Sequence, residues 1–394
     1  MTKRVIPIIL IYIALTFFWF ILGGSNMFRT YSSQENLRKK VSALWGEKIT
    51  QKEPSIQLFY YNRKGERVYK KIHPNSSDII VDLKLKHRRK GLVWFSTYKV
   101  DFKADYTVRN TIPRYTHVEI DYAFPNQNAI YDDFTFLLNG RKYNYEPNNP
   151  VILRLPAGRK ISFSVSYTSQ GLDEWLYSFG TNYSDKVAKI KNFSLKIYTD
   201  FRKIDFPDDT ISPTSTDKTN KGWELHWKYK NLVSGFKIGV ATPQKLQPGE
   251  LARSMSFFAP ISLLFFIFWI FIISVLKKLK IHPMHYLLLG LSFFAFHLLF
   301  SYLADHLSVY ICFLAASVVS LFLVYSYMKV VVSKEFALRE VGLAQFIYLI
   351  LFSLAHFFRG YTGLTVTIGS IITLYVVMQL TAKVNWDKVF AGKR

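Results

Sequence analysis

The sequence predicts a membrane protein: an all-β, sandwich-like extracytoplasmic domain inserted between a first transmembrane helix and a five-helix transmembrane bundle. Three observations carry this. Residues 5–22 form an uncharged apolar run, five more apolar runs lie near 257–275, 284–303, 307–327, 341–358 and 361–380, and the polar stretch between them alternates with period two. A helix of about 20 apolar residues crosses roughly 30 Å of hydrocarbon, so every run is long enough to span. The expected boundaries are an N-terminal span at 1–23, an amphipathic connector at 24–50, the β domain at 51–253, the helical bundle at 254–382 and a tail at 383–394.

Lys3 and Arg4 precede the first run, and Leu22-Gly23-Gly24-Ser25 at its end is a weak cleavage site. The run therefore reads as an uncleaved signal anchor. In residues 32–45, Leu37, Val41 and Leu44 share one helix face, and Ser32 with Glu35 fits a capping box. This predicts a short separate helix leaving the membrane. Lys3 and Arg4, then Lys277, Lys278 and Lys280, then Lys329, Lys334 and Arg339, then Lys383, Lys388, Lys393 and Arg394 fall on one side of the spans. The short loops on the other side hold only Arg359. Cytoplasmic loops are the ones enriched in Lys and Arg, so both termini are expected inside and the large domain in the periplasm.

Within that domain Ile79, Val81, Leu83 and Leu85 alternate with polar positions. Over 94–109, Trp94, Tyr98, Val100, Phe102, Ala104, Tyr106 and Val108 share one face, with Lys99, Asp101, Lys103 and Asp105 on the other. Alternation of that length predicts a half-buried antiparallel strand. Val118, Ile120, Tyr122 and Phe124 repeat it, as do Ile161, Phe163, Val165 and Tyr167, and Trp223, Leu225 and Trp227 begin a late strand. Asn139-Gly140 predicts a two-residue hairpin turn, and Pro156-Ala157-Gly158-Arg159 joins another strand pair. In-register aromatics of this kind read as core; among them only Phe95 stands on the outward side, so a carbohydrate platform is not expected.

The chain carries a net charge of +24, and residues 24–253 hold 38 basic and 23 acidic side chains. A periplasmic placement excludes nucleic acid as the partner. The lipid bilayer, an envelope protein, anionic lipid headgroups or an acidic envelope polymer are the expected ones. Cys312, the one cysteine, lies in the fourth span, so the β domain has no disulfide. No cofactor is expected, and no phosphate loop, nucleophile elbow or zincin motif is present. His282 and His285 lack further donors for a metal, and the adjacent carboxylates Asp173-Glu174 and Asp208-Asp209 make poor acid–base partners. Polar residues at membrane depth are costly. The candidate cluster is therefore His297, Tyr302, Asp305 and His306 near the end of span 3, with His356 and Arg359 near the end of span 5. Asp305 and Arg359 are expected to form an ion pair.

Several strings resemble the CreD family of bacterial inner-membrane proteins. IHPMHYLLLGLSFFAFHLLFSYLADHL at 281–307 and MQLTAKVNWDKVF at 378–390 resemble its membrane segment. HRRKGLVWFSTYKVDFKADYTV at 87–108 and WGEKITQKEP at 45–54 resemble its outer domain. The resemblance implies the same one-plus-five topology and a part in envelope integrity and envelope stress, with links to colicin tolerance. It implies no enzyme activity and carries over no catalytic site. Two other functions remain open beside a non-enzymatic scaffold: a permease gated by the β domain, and a membrane-embedded enzyme acting on lipid or glycan.

Overall fold

The computed structural model describes residues 2–90, 93–126, 129–180, 187–358 and 360–384. The chain divides into two compact units, one of residues 1–35, 91–93 and 246–394, the other of residues 36–90 and 94–245.

The β unit opens with β1 (Ile49–Lys52), β2 (Ser55–Tyr61), β3 (Arg67–Ile72), β4 (Ser76–Leu85), β5 (Arg88–Lys90) and β6 (Val93–Phe95). It continues through β7 (Thr97–Arg109), β8 (Thr116–Asp121), β9 (Asp132–Leu138), β10 (Arg141–Tyr143), β11 (Val151–Leu155) and β12 (Lys160–Leu172). It closes with β13 (Glu174–Ser178), β14 (Ala188–Thr199), β15 (Ser215–Lys218), β16 (Trp223–Ser234) and β17 (Ile238–Ala241). An eight-stranded sheet runs β10-β9-β12-β7-β4-β14-β16-β15, and a four-stranded sheet runs β11-β8-β2-β3. β1-β13-β17 form a third sheet. Ile79, Val81 and Leu83 of the large sheet share one hydrophobic core with Ile56, Leu58, Val118 and Ile120 of the four-stranded sheet. This is the expected sandwich, with alternate side chains of each inner face meeting in between.

Alternation sets the details. β7 is antiparallel to both β4 and β12, and its 100, 102, 104, 106 and 108 side chains are all buried. Asn139 and Gly140 both have positive φ, as the tight turn between β9 and β10 requires. Two expectations change. The strand expected over 94–109 is broken at Ser96, whose Oγ donates to the Pro243 carbonyl, and Phe95 is buried rather than outward. Pro156–Arg159 does not join a paired hairpin but carries the chain from the four-stranded sheet (β11) to the eight-stranded one (β12). The large sheet is mixed, because β14 runs parallel to β4.

Among the described residues six helices are long and apolar enough to cross a membrane. They are α1 (Thr2–Trp45), α2 (Pro248–Leu276), α3 (Pro283–Leu303), α4 (Val309–Val331), α5 (Phe336–Phe357) and α6 (Thr362–Thr381). α1 is one continuous helix, so no new helix starts at Ser32. Gly23 and Gly24, at about 1 kcal/mol each relative to Ala, do not break it. A Cβ on Gly23 would lie 3.1 Å from the Phe257 ring, so its smallness serves the approach of α1 to α2. α5 contains two π-helical stretches, Phe336–Gly342 and Phe346–Leu351. Polar side chains join the helices inside: Gln345 donates to the Ser320 Oγ at 2.6 Å, and Ser320 donates to the Ser292 carbonyl at 3.0 Å. Such bonds hold apolar helices together where lipid offers no competing partner.

Candidate functional site

The residues singled out near the ends of spans 3 and 5 fall into distinct surroundings. His297 is buried on α3, its Nδ1 3.3 Å from the Phe293 carbonyl oxygen one turn back. A carbonyl only accepts, so Nδ1 carries the proton in this bond. The ring stands edge-on to Trp19 of α1 and to Phe296. His356 repeats the arrangement on α5, with Nδ1 3.3 Å from the Phe352 carbonyl and Phe258 of α2 against its ring. Its Nε2 is buried and makes no hydrogen bond among the described residues. It borders a cleft of about 320 Å3 lined also by Glu250, Ser254 and Thr362. The two histidines share no ring contact or hydrogen bond.

Tyr302 and Asp305 belong to a lock between α1 and the end of α3. Arg29 donates to the Asp305 carboxylate and lies over the Tyr302 ring, 5.2 Å from its centre. One turn earlier Asn26 donates to the Ser301 Oγ at 3.0 Å. His306 is exposed, and its backbone N–H bonds to the Leu303 carbonyl. Arg359 lies outside the described residues, and so does the expected pair with Asp305. Arg29 and Asn26 escaped the sequence reading because they sit beyond the apolar run of α1, where the connector was expected to begin. A signal was available: Asn26 and Arg29 stand three positions apart, putting both on one flank of a helix that continues.

The other polar residues have ordinary partners. His282 caps α3, accepting at Nδ1 from the Met284 N–H, while His285 Nδ1 lies 2.6 Å from the Tyr327 hydroxyl. Glu340 pairs with Lys277 at 2.5 Å. Asp173 and Glu174 pair with Arg38 and Lys48 respectively. Among the described residues no group of three or more His, Cys, Asp or Glu side chains is placed to hold a metal ion.

In the β unit, the charged face of β7 pairs with its neighbours. Burial raises the Asp101 carboxyl, but hydrogen bonds from Lys84, at 2.7 Å, and Thr168 more than offset it and leave the group below its usual range. The same bond raises Lys84. His87 is pushed down by burial and by Lys245. Beneath this face, Gln51 is fully buried and accepts at Oε1 from the hydroxyls of Tyr122 (2.9 Å) and Tyr167 (2.8 Å). Burial holds both phenols well above their ordinary pKa, so they stay protonated donors.

Comparison with known proteins agrees with the helical geometry. None of the curated proteins compared matches the chain. Among solved structures, the crystal structure of a Legionella pneumophila subsp. pneumophila str. Philadelphia 1 protein proposed to bind nutrients is similar at 9% identity. It covers 55% of this chain and 75% of that one with a TM-score of 0.32, too low to carry an argument. Residues 249–387, from the first turn of α2 past the end of α6, match the family described as inner membrane protein CreD. Over this membrane segment, about a third of its length, the chain is similar to the CreD family of inner-membrane proteins.

Proposed function

We infer that this CreD-like protein is a non-enzymatic binding and scaffold protein contributing to cell envelope integrity. The β domain would engage an envelope component, and the helices would anchor it. One observation carries the reading: four of the acidic, amide and imidazole side chains of the helical unit are engaged by residues of other elements. Asp305 holds Arg29, Glu340 holds Lys277, Gln345 holds Ser320 and His285 meets Tyr327. A membrane-embedded enzyme needs titratable groups free to meet a substrate.

His356 is the residue that tests this, since its Nε2 borders a cleft. Replacing His297 and His356 together with Gln is expected to preserve resistance to envelope stress in cells that make the variant at wild-type amounts. Loss of that resistance at unchanged protein amount would favour the enzyme reading instead.

The proposed placement puts both termini in the cytoplasm and the β domain in the periplasm, on the Lys and Arg asymmetry of the loops. A reporter that works only in the cytoplasm, fused after Arg394, is expected to be active. A fusion active only with a periplasmic reporter would reverse the orientation.

A further inference from the structure

We propose that the outward face of the four-stranded sheet binds an acidic polysaccharide, through tyrosine rings that flank fixed arginines. The proposal rests on the β domain being the binding module of a periplasm-facing protein, and it names the surface and the ligand class.

The face follows from strand parity. Ile56 and Leu58 of β2 point into the core, so Phe59 and Tyr61 fall on the outer side, Tyr61 exposed and Phe59 covered by its neighbours. The register then sets Tyr69 of β3, Phe59, His117 of β8 and Arg154 of β11 in one cross-strand row. With neighbouring strands about 4.8 Å apart, that row extends on the order of 14 Å. Phe59 is its floor. His117 stacks on it with ring centres 4.9 Å apart, Tyr69 lies at 5.5 Å, and the Arg67 guanidinium crosses it at 5.3 Å.

Arg67 is positioned from both sides. Its Nε donates to the Tyr61 hydroxyl at 3.2 Å and its Nη1 to the Tyr69 hydroxyl at 3.4 Å. Both tyrosines remain about half exposed, at 51% and 49%. At the far end of the row Arg154 lies over Tyr115, which is 63% exposed. Neither arginine pairs with a carboxylate among the described residues. Glu119 and Asp121 share the outward face of β8 with His117, in the next rows along the strand.

This combination selects a ligand. Half-exposed rings whose hydroxyls are engaged present apolar surface to the C–H faces of sugars. A planar guanidinium held in one orientation takes a carboxylate or phosphate through two parallel hydrogen bonds, which lysine cannot do. Two such cations separated by aromatic surface suit a chain of sugar rings with repeated negative charge. The surplus of 38 basic over 23 acidic residues across 24–253 would draw that chain in. Single-stranded nucleic acid also uses stacking and positive charge. The periplasmic placement disfavours it, and the test includes it.

The experiment uses the full chain in nanodiscs of zwitterionic phosphatidylcholine and a fluorescent oligogalacturonate. Binding is expected, weakened by salt, and reduced at least tenfold by Arg67→Ala and by Tyr69→Ala. Arg67→Lys, which keeps the charge, is expected to bind more weakly than wild type. Uncharged maltodextrin should not compete. No binding of oligogalacturonate by wild type, or equal binding by the three variants, overturns the proposal. Equally tight binding of polyglutamate overturns it in favour of charge alone, and of oligothymidylate in favour of nucleic acid. These outcomes read ligand binding, whereas the histidine variants above read stress resistance, so either reading can fail without the other.

Discussion

Replacement of Gln51 by Leu is expected to cost the β domain about 2–5 kcal/mol, because it strands two buried hydroxyls at once. Gln51 Oε1 is the acceptor for Tyr122 and Tyr167, and all three side chains are almost fully buried. Leaving a buried donor unsatisfied costs about 1–3 kcal/mol each, while the shape of Leu keeps the packing nearly intact. The Gln51 amide also donates to the Lys52 carbonyl at 2.8 Å, which loses that bond. For a domain of this size each kcal/mol lowers the melting midpoint by roughly 2–4 °C. A drop of several degrees in the β-domain transition of the purified protein is therefore expected. Adding Tyr122→Phe and Tyr167→Phe to the Leu variant removes the stranded hydroxyls and should recover part of the loss. If Gln51→Leu melts with wild type, or the triple variant is no better than the single, the hydroxyls are satisfied elsewhere and the account fails.

The second large effect is expected at Asp305 and Arg29. Breaking a fully buried ion pair by deleting one partner costs about 3–5 kcal/mol. Here the side chains retain 20% and 33% of their exposure, so about 1–3 kcal/mol is the fitting range. Asp305→Ala also removes the anchor that holds Arg29 over Tyr302, and should loosen α1 against α3. Either single alanine variant is expected to reduce the amount of protein that survives heating in detergent as a single species. Arg29→Asp with Asp305→Arg should restore part of it. A swap no better than the singles would mean the two charges act separately.

Much of the fold was legible because periodicity is local. The zero exposure of Ile79, Val81 and Leu83, the turn at Asn139-Gly140 and the six apolar helices follow from residues close together in the sequence. What escaped is set by distance or by parity. Arg29 meets Asp305 across 276 positions, and no spacing rule joins them. Gln51 reads as an ordinary polar residue of a short strand; only the fold brings Tyr122 and Tyr167 to it. Tyr61 and Tyr69 were lost differently. In short strands rich in aromatics, ring residues look like core whichever way they point, and Ile56 and Leu58 had already taken the inner face of β2. The break at Ser96 was likewise invisible, since its cause is the carbonyl of Pro243.

The parallel pairing of β14 with β4 governs how the domain can be made. Phe193 lies beside Ser77 and Thr199 beside Leu83, yet nine strands separate β4 from β14 along the chain. As the polypeptide leaves the ribosome, β4 finds β7 soon after but keeps its other edge open until β14 arrives. Such an edge, lined by Ile79, Val81 and Leu83, is a template for pairing with any other extended chain. Contacts this distant in sequence also form slowly. The nascent domain thus depends on being kept apart from its neighbours until nearly all of it has been synthesised, and α2 is the next long element to follow.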